Sequence, residues 1–211
     1  MNSNVKNIYK NTIIGLVLKV LLLIVSFANR TIFIKLLGSE YLGIAGLYSN
    51  IISLLSLADL GIYTAFMFSL YKPLSDKDEI QIGTLIKYFS KIYKIIGFVV
   101  ILIGLCIVPF LQYLVNSNNL DETEFKMYFI LFVLNSGLSY FNVCESTLLR
   151  ADKKVYIVDL VTSLITILAY VLQVVFLLIT NDYYSYIIVQ IFMTILTNLI
   201  LKLITIKIYP Y

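Results

Sequence analysis

The chain has 211 residues, of which 60% are hydrophobic and 13% are charged, and its net charge is +4. Soluble domains carry about 25% charged residues, so this composition excludes a water-soluble globule. There is no histidine, and the two cysteines, Cys106 and Cys144, both lie within apolar segments. A Cys/His metal site is therefore excluded and a disulfide scaffold is implausible. We expect both cysteines to be small apolar core residues.

The apolar segments have the length of membrane-spanning helices. One helical crossing needs about 20 mostly apolar residues. We predict six spans, at about residues 11–36, 41–70, 85–111, 125–148, 155–179 and 184–206. Short polar segments separate them, as expected for a helical bundle, because unpaired backbone is not tolerated in lipid. The predicted fold class is an all-α integral membrane protein, with residues 1–211 forming a single bundle of six transmembrane helices.

The distribution of lysine and arginine predicts the orientation of the bundle. Cytoplasmic segments carry an excess of these residues. The loops assigned to the opposite side contain none, and Lys35 and Lys126 lie near those loops, at span ends. We therefore expect both termini to be cytoplasmic. The cytoplasmic cations are Lys6, Lys10, Lys72, Lys77, Lys87, Lys91, Lys94, Arg150, Lys153, Lys154, Lys202 and Lys207.

The first predicted span contains positive charge, which costs about 2.5–3.5 kcal/mol per residue at the centre of a membrane helix. Thr12, Lys19, Ser26 and Arg30 are spaced so that they share one helical face. Such a polar stripe should face the protein interior or a water-filled cavity. For Lys35, at the span end, we expect the side chain to reach the headgroups instead.

Arg30 has no acidic residue at its depth, so it is the better candidate for binding an external anion. Its alternative role is the same headgroup contact as Lys35, if the span is shifted outward. Lys19 has a different alternative, because Asp59 in the second span is expected at about the same depth. The two residues could form an ion pair with a structural or cavity role.

The second span also carries Ser49, Ser53, Ser56 and Tyr63 along one face. This face is either a polar cavity lining or a surface for close helix packing, because small hydroxyl residues permit both. The sequence offers no recognisable catalytic motif: it has no glycine-rich phosphate loop, nucleophile elbow or histidine base. The carboxylates near or within spans, Asp59, Glu145 and Asp159, lie on three different spans. We predict a transporter or scaffold rather than an enzyme, with no cofactor and no nucleic-acid partner.

A first span with an internal arginine precedes the segments "GSEYLGIAGLYSNIISLLSLADLGI" and "LYKPLSDKDEIQI". The chain also contains the pattern L-G-x-x-x-L-G-I at residues 37–44, Asp59-Leu60-Gly61, the "LLRADKK" turn and the terminal "YPY". In these features the sequence resembles polysaccharide (O-antigen type) flippases of the multidrug/oligosaccharidyl-lipid/polysaccharide exporter superfamily.

The resemblance implies a carrier that moves polyprenyl-pyrophosphate-linked oligosaccharide repeat units across a bacterial cytoplasmic membrane, for O-antigen, capsule or another surface polysaccharide. Its cavity cations would be Arg30 and Lys19, with Ser26 beside them. Members of the family have twelve to fourteen spans, so this chain looks like the N-terminal half, which would work with a C-terminal half or a second copy. Polysaccharide polymerase and glycosyltransferases are further expected partners. The alternatives are a drug or cation antiporter of the same superfamily and a non-transporting six-span scaffold subunit.

Overall fold

A computed structural model describes the backbone of residues 3–56, 60–113 and 122–210, and the side chains of residues 15–56, 61–113 and 122–210. These residues are almost entirely helical and contain no β-strand. The helices are α1 (Ser3–Leu37), α2 (Ser39–Ser56), α3 (Leu60–Asp76), α4 (Glu79–Ile107), α5 (Glu122–Ser139), α6 (Val143–Ala151), α7 (Val155–Thr180) and α8 (Tyr183–Ile208). Short 3₁₀ helices continue α4 (Val108–Tyr113) and join α5 to α6 (Tyr140–Asn142).

The prediction of an all-α membrane protein with multiple spans is confirmed. Five segments of the described chain are long and apolar enough to cross a membrane, and there are six if α2 and α3 together count as one. These segments are helical because only a helix satisfies every backbone N–H and C=O within one lipid-embedded segment. The described spans extend past the predicted ends at several positions. For example, α4 begins at Glu79. Asp78 caps this helix by accepting a hydrogen bond from the Gln81 N–H at 2.9 Å.

The predicted second span, 41–70, differs from the observed structure. It corresponds to two helices, α2 and α3, whose axes are bent by 55° relative to each other, with residues 57–59 outside the described part. In α2, Ser49, Ser53 and Ser56 all donate their hydroxyls to carbonyls one turn earlier, at 2.8–3.0 Å. Such back-bonding slightly destabilises a helix, and here it occurs in the part of α2 that precedes the bend. An apolar pattern records the length of a span but not a bend within it.

Two buried clusters hold opposite ends of the bundle. The first, at the α1–α2 and α7–α8 turns, is rich in tyrosine. In this aromatic cluster the ring of Tyr183 lies 5.5 Å from Phe33, 5.3 Å from Tyr41 and 4.8 Å from Tyr128, centroid to centroid. Such edge-to-face pairs stabilise packing beyond their buried area. The second cluster joins α3, α4, α6, α7 and the end of α8.

The two cysteines differ in their surroundings. Cys144 is buried in the second cluster, as expected. The expectation of a core position is wrong for Cys106, which is exposed on α4. In a membrane bundle the outward faces are as apolar as the core, because they contact lipid rather than water. Local apolar sequence therefore does not distinguish a core cysteine from a lipid-facing one.

Candidate functional site: a polar cavity at Arg30

A cavity of about 850 Å³ lies between the described helices. It is bounded by α1, α2, α5, α7 and α8, and the aromatic cluster borders it through Phe33, Tyr183 and Tyr186. Its volume lies within the range of about 300–1,000 Å³ typical of small-molecule sites. The polar and charged residues that line it are Ser26, Asn29, Arg30, Ser49, Ser53, Asn135, Ser136, Ser139, Thr166, Tyr170, Tyr183, Tyr186, Gln190, Thr194 and Thr197.

Arg30 and Ser26, both predicted site residues, line this cavity from α1. Arg30 is exposed, and it is the one charged residue among the described residues that form the lining. Ser26 is half-buried and donates its hydroxyl to the Leu23 carbonyl at 3.1 Å, so its oxygen lone pairs remain for a ligand. The cavity therefore combines a single permanent cation with neutral polar groups, since arginine stays charged at all physiological pH values.

The structure does not bring Lys19 to this cavity. Lys19 is exposed on α1 and is not among the lining residues. Asp59 and the Thr12 side chain lie outside the described residues, so the Lys19–Asp59 ion pair stays a prediction. Lys35, in the last turn of α1, is exposed at the helix end, where a headgroup contact was expected. Of the predicted polar stripe, Ser26 and Arg30 thus lie at the cavity.

Part of the serine face of α2 forms a wall of the cavity, which agrees with its interpretation as a polar cavity lining. Ser49 and Ser53 line the cavity, whereas Ser56 and Tyr63 are half-buried and are not among the lining residues. Ser49 donates its hydroxyl to the Ala45 carbonyl at 2.8 Å, and Ser53 donates to the Ser49 carbonyl at 2.8 Å. Their hydroxyl protons are committed to the helix, so these serines present mainly acceptor oxygens to the cavity.

A buried hydrogen-bond network lies directly beside Arg30. Asn29, which is 3% exposed, donates from Nδ2 to Gln173 Oε1 at 3.0 Å, and Gln173 is fully buried. Gln173 Nε2 donates to Gln190 Oε1 at 2.8 Å and more weakly to the Tyr186 carbonyl at 3.4 Å. The Tyr186 hydroxyl donates to Asn29 Oδ1 at 3.3 Å. This amide network ties α1 to α7 and α8, and it fixes the helix that carries Arg30.

Sequence reasoning missed the amide network. Its members are single amides within apolar segments, and an amide buried in a membrane protein must find partners because an unpaired polar group in lipid is costly. That rule identifies Asn29, Gln173 and Gln190 as candidates for interhelical contacts. It does not pair them, since Asn29 and Gln173 are 144 positions apart in the chain.

Two hydrogen bonds join α5 to α8, and both helices contribute residues to the cavity lining. Thr194 donates its hydroxyl to Asn135 Oδ1 at 2.7 Å, and Asn198 Nδ2 donates to the Leu138 carbonyl at 2.8 Å. Hydrogen bonds between transmembrane helices contribute about 0.6 kcal/mol each on average. Small as each contribution is, the bonds set the register of α5 against α8, and with it the positions of the lining residues on both helices.

No carboxylate of the described chain is among the lining residues of the cavity. Asp159 forms an ion pair with Arg150, at 3.2 Å between Oδ1 and Nη2, and Glu145 lies on α6 next to the second cluster. At the turn between α6 and α7, Asp152 contacts Lys154 Nζ at 2.7 Å and accepts from the Tyr209 hydroxyl. Burial alone would raise the pKa of Asp152, but the Lys154 ammonium and the Tyr209 hydroxyl hold it below its ordinary value.

Comparisons with protein-family models, with curated proteins and with solved structures give no match to this chain. The class that the structure itself defines is an α-helical, multi-pass membrane protein. The resemblance to polysaccharide flippases stays a prediction.

Proposed function

We propose that this chain is a membrane transporter, or the N-terminal part of one, that binds the pyrophosphate of a polyprenyl-linked oligosaccharide and moves it across a bacterial cytoplasmic membrane. One observation carries the proposal: Arg30 is the single charged residue in the described lining of a cavity between helices long and apolar enough to cross a membrane. A cation in that position has a large energetic cost in the membrane, which an anionic ligand would offset.

The chemistry of arginine suits a pyrophosphate ligand. Its guanidinium binds phosphate oxygens bidentately, and such charge-assisted hydrogen bonds are about twice as strong as neutral ones. The ligand's own dehydration opposes transport, and a fixed cation in a cavity of reduced dielectric compensates part of that cost. The hydroxyls of Ser49 and Ser53 on α2 and of Thr166 on α7 line the cavity and present acceptor oxygens, which match the hydroxyl groups of a sugar.

The proposal includes an orientation and partners. Both termini are cytoplasmic, and the cavity is completed by a C-terminal half or by a second copy of this chain, so that rocking of two bundles exposes it to either side. The partners that supply and consume the lipid-linked oligosaccharide are glycosyltransferases and a polysaccharide polymerase. A drug or cation antiporter is disfavoured, because a cation site needs carboxylates and the described lining residues include none.

The decisive experiment measures binding of farnesyl pyrophosphate to the purified chain in lipid nanodiscs by calorimetry, with farnesol as the uncharged comparison. We expect the pyrophosphate to bind and Arg30→Gln to weaken its affinity by about 10–100-fold, the range for losing a charged hydrogen-bond donor of about 1.5–3 kcal/mol. Arg30→Lys should retain part of the affinity, because the charge survives but the planar fork does not.

Lys35→Gln provides the matched control. It removes the same unit of charge from the same helix, at an exposed residue outside the cavity lining. This variant should bind like the wild type. Equal affinity of Arg30→Gln and wild type would overturn the proposal, as would binding of farnesol as tight as that of its pyrophosphate.

A further inference from the structure

The hydrogen bonds of the amide network beside Arg30 follow one another in a fixed donor-to-acceptor order. Each link has one donor and one acceptor: the Tyr186 hydroxyl donates to Asn29, Asn29 Nδ2 donates to Gln173, and Gln173 Nε2 donates to Gln190 Oε1. An amide group carries one carbonyl oxygen and one NH₂ group. If the oxygen of Gln190 accepts from Gln173, its NH₂ group is the end that remains available.

A backbone carbonyl fixes this direction. Gln173 Nε2 also lies 3.4 Å from the carbonyl oxygen of Tyr186, which can only accept. Reversing the Gln173 amide would place two oxygens against each other in a fully buried position, which is strongly unfavourable. The Gln173 nitrogen therefore faces Gln190, and the contacting atom of Gln190 must be its acceptor oxygen.

Gln190 lines the cavity and is exposed, whereas Asn29 and Gln173 are buried. From these contacts we infer that Gln190 is a second anion-binding residue, whose NH₂ group is held by the network as a hydrogen-bond donor to the ligand of Arg30. The inference rests on the proposed function and adds to it a residue that selects for oxygen-rich anions.

Many of the other polar groups of the lining already use their hydrogen-bond donors within the protein. Hydroxyls at Ser26, Ser49, Ser53, Ser139, Thr166 and Thr197 all donate to backbone carbonyls of their own helices, at 2.7–3.1 Å. A phosphate oxygen is an acceptor and needs donors. Because those hydroxyl protons are already used, the NH₂ group of Gln190 supplies what most of the surrounding lining does not.

The test compares Gln190→Glu with Gln190→Ala, in the full chain in nanodiscs, with inorganic pyrophosphate as the probe at pH 8. Glutamate keeps an oxygen to accept from Gln173 but replaces the donor with a negative charge, whereas alanine removes both ends. We expect Gln190→Glu to weaken pyrophosphate binding by about tenfold or more, which equals about 1.4 kcal/mol, and to weaken it more than Gln190→Ala does. Gln112→Glu adds the same charge at an exposed residue outside the cavity lining, and it should bind like the wild type.

If Gln190 only lines the cavity, Gln190→Ala should bind pyrophosphate like the wild type, because only the added charge of Gln190→Glu would then repel the probe, and that result would overturn the inference. Equal binding by both variants and wild type would also overturn it. Arg30→Gln, measured in parallel, separates the two claims. If Arg30→Gln loses binding while the Gln190 variants keep it, the role of Gln190 fails and the proposed function stands. If Arg30→Gln binds normally, the proposed function itself fails.

Discussion

The contact between α4 and α5 depends on the absence of a side chain at Gly97. A Cβ atom at this position would lie 3.0 Å from the carbonyl oxygen of Gly137 and 3.3 Å from Cβ of Tyr140. A backbone carbonyl and a Cβ cannot rotate away, so the helices would have to separate by a few tenths of an ångström. Ser136 and Ser139, which precede Gly137 and Tyr140 in the chain, line the cavity, so this crossing also positions one of its walls.

Two opposing effects determine how Gly97→Ala changes the free energy of unfolding. Alanine is favoured over glycine by about 0.8–1.0 kcal/mol in a helix interior. Overpacking a tight contact costs about 1–3 kcal/mol. Gly83, on the same helix, has nothing within 4 Å of an added Cβ, so Gly83→Ala experiences the first effect alone. We therefore expect Gly97→Ala to be less stable than Gly83→Ala by about 1–3 kcal/mol.

Thermal unfolding of the two variants in the same detergent measures this difference. For a chain of this size 1 kcal/mol corresponds to about 2–4 °C, so Gly97→Ala should melt roughly 2–12 °C below Gly83→Ala. The comparison cancels the helix-propensity gain, because both variants replace glycine with alanine on α4. A Gly97→Ala protein that melts at or above the temperature of Gly83→Ala would refute the close approach of α4 and α5.

Two further predictions concern pH and topology. The lowered pKa of Asp152 means that its contribution to folding stability is present above its unfolded pKa of about 3.9 and is lost as the pH falls through its folded pKa. Unfolding scans between pH 2 and 6 should therefore show a steeper acid loss in wild type than in Asp152→Asn, and parallel curves would contradict this. For topology, single cysteines at positions 116–122, in a background without Cys106, should react with an impermeant thiol reagent on intact cells, and cysteines at positions 76–78 should not. Labelling at 76–78 from outside would reverse the orientation.

The sequence by itself determined the class of the protein and the presence of unusual charge. Apolar segments of 20 or more residues predict helices in lipid because backbone hydrogen bonds must be made within each segment. The same energetic rule singles out Arg30 without any structure, since a cation within an apolar membrane span requires compensation. Periodicity placed Ser26 and Arg30 on one face of α1, and the structure shows both at the cavity.

Tertiary structure decided how the distant segments meet. The pairing of Asn29 with Gln173 and the inward face of α8 that carries Gln190 depend on how helices far apart in the chain pack together. The sequence pattern also did not predict the exposed position of Cys106 or the bend between α2 and α3. The physical reason is the same throughout: lipid and protein core are almost equally apolar, so hydrophobicity shows which segments enter the membrane but not which of their faces meet each other.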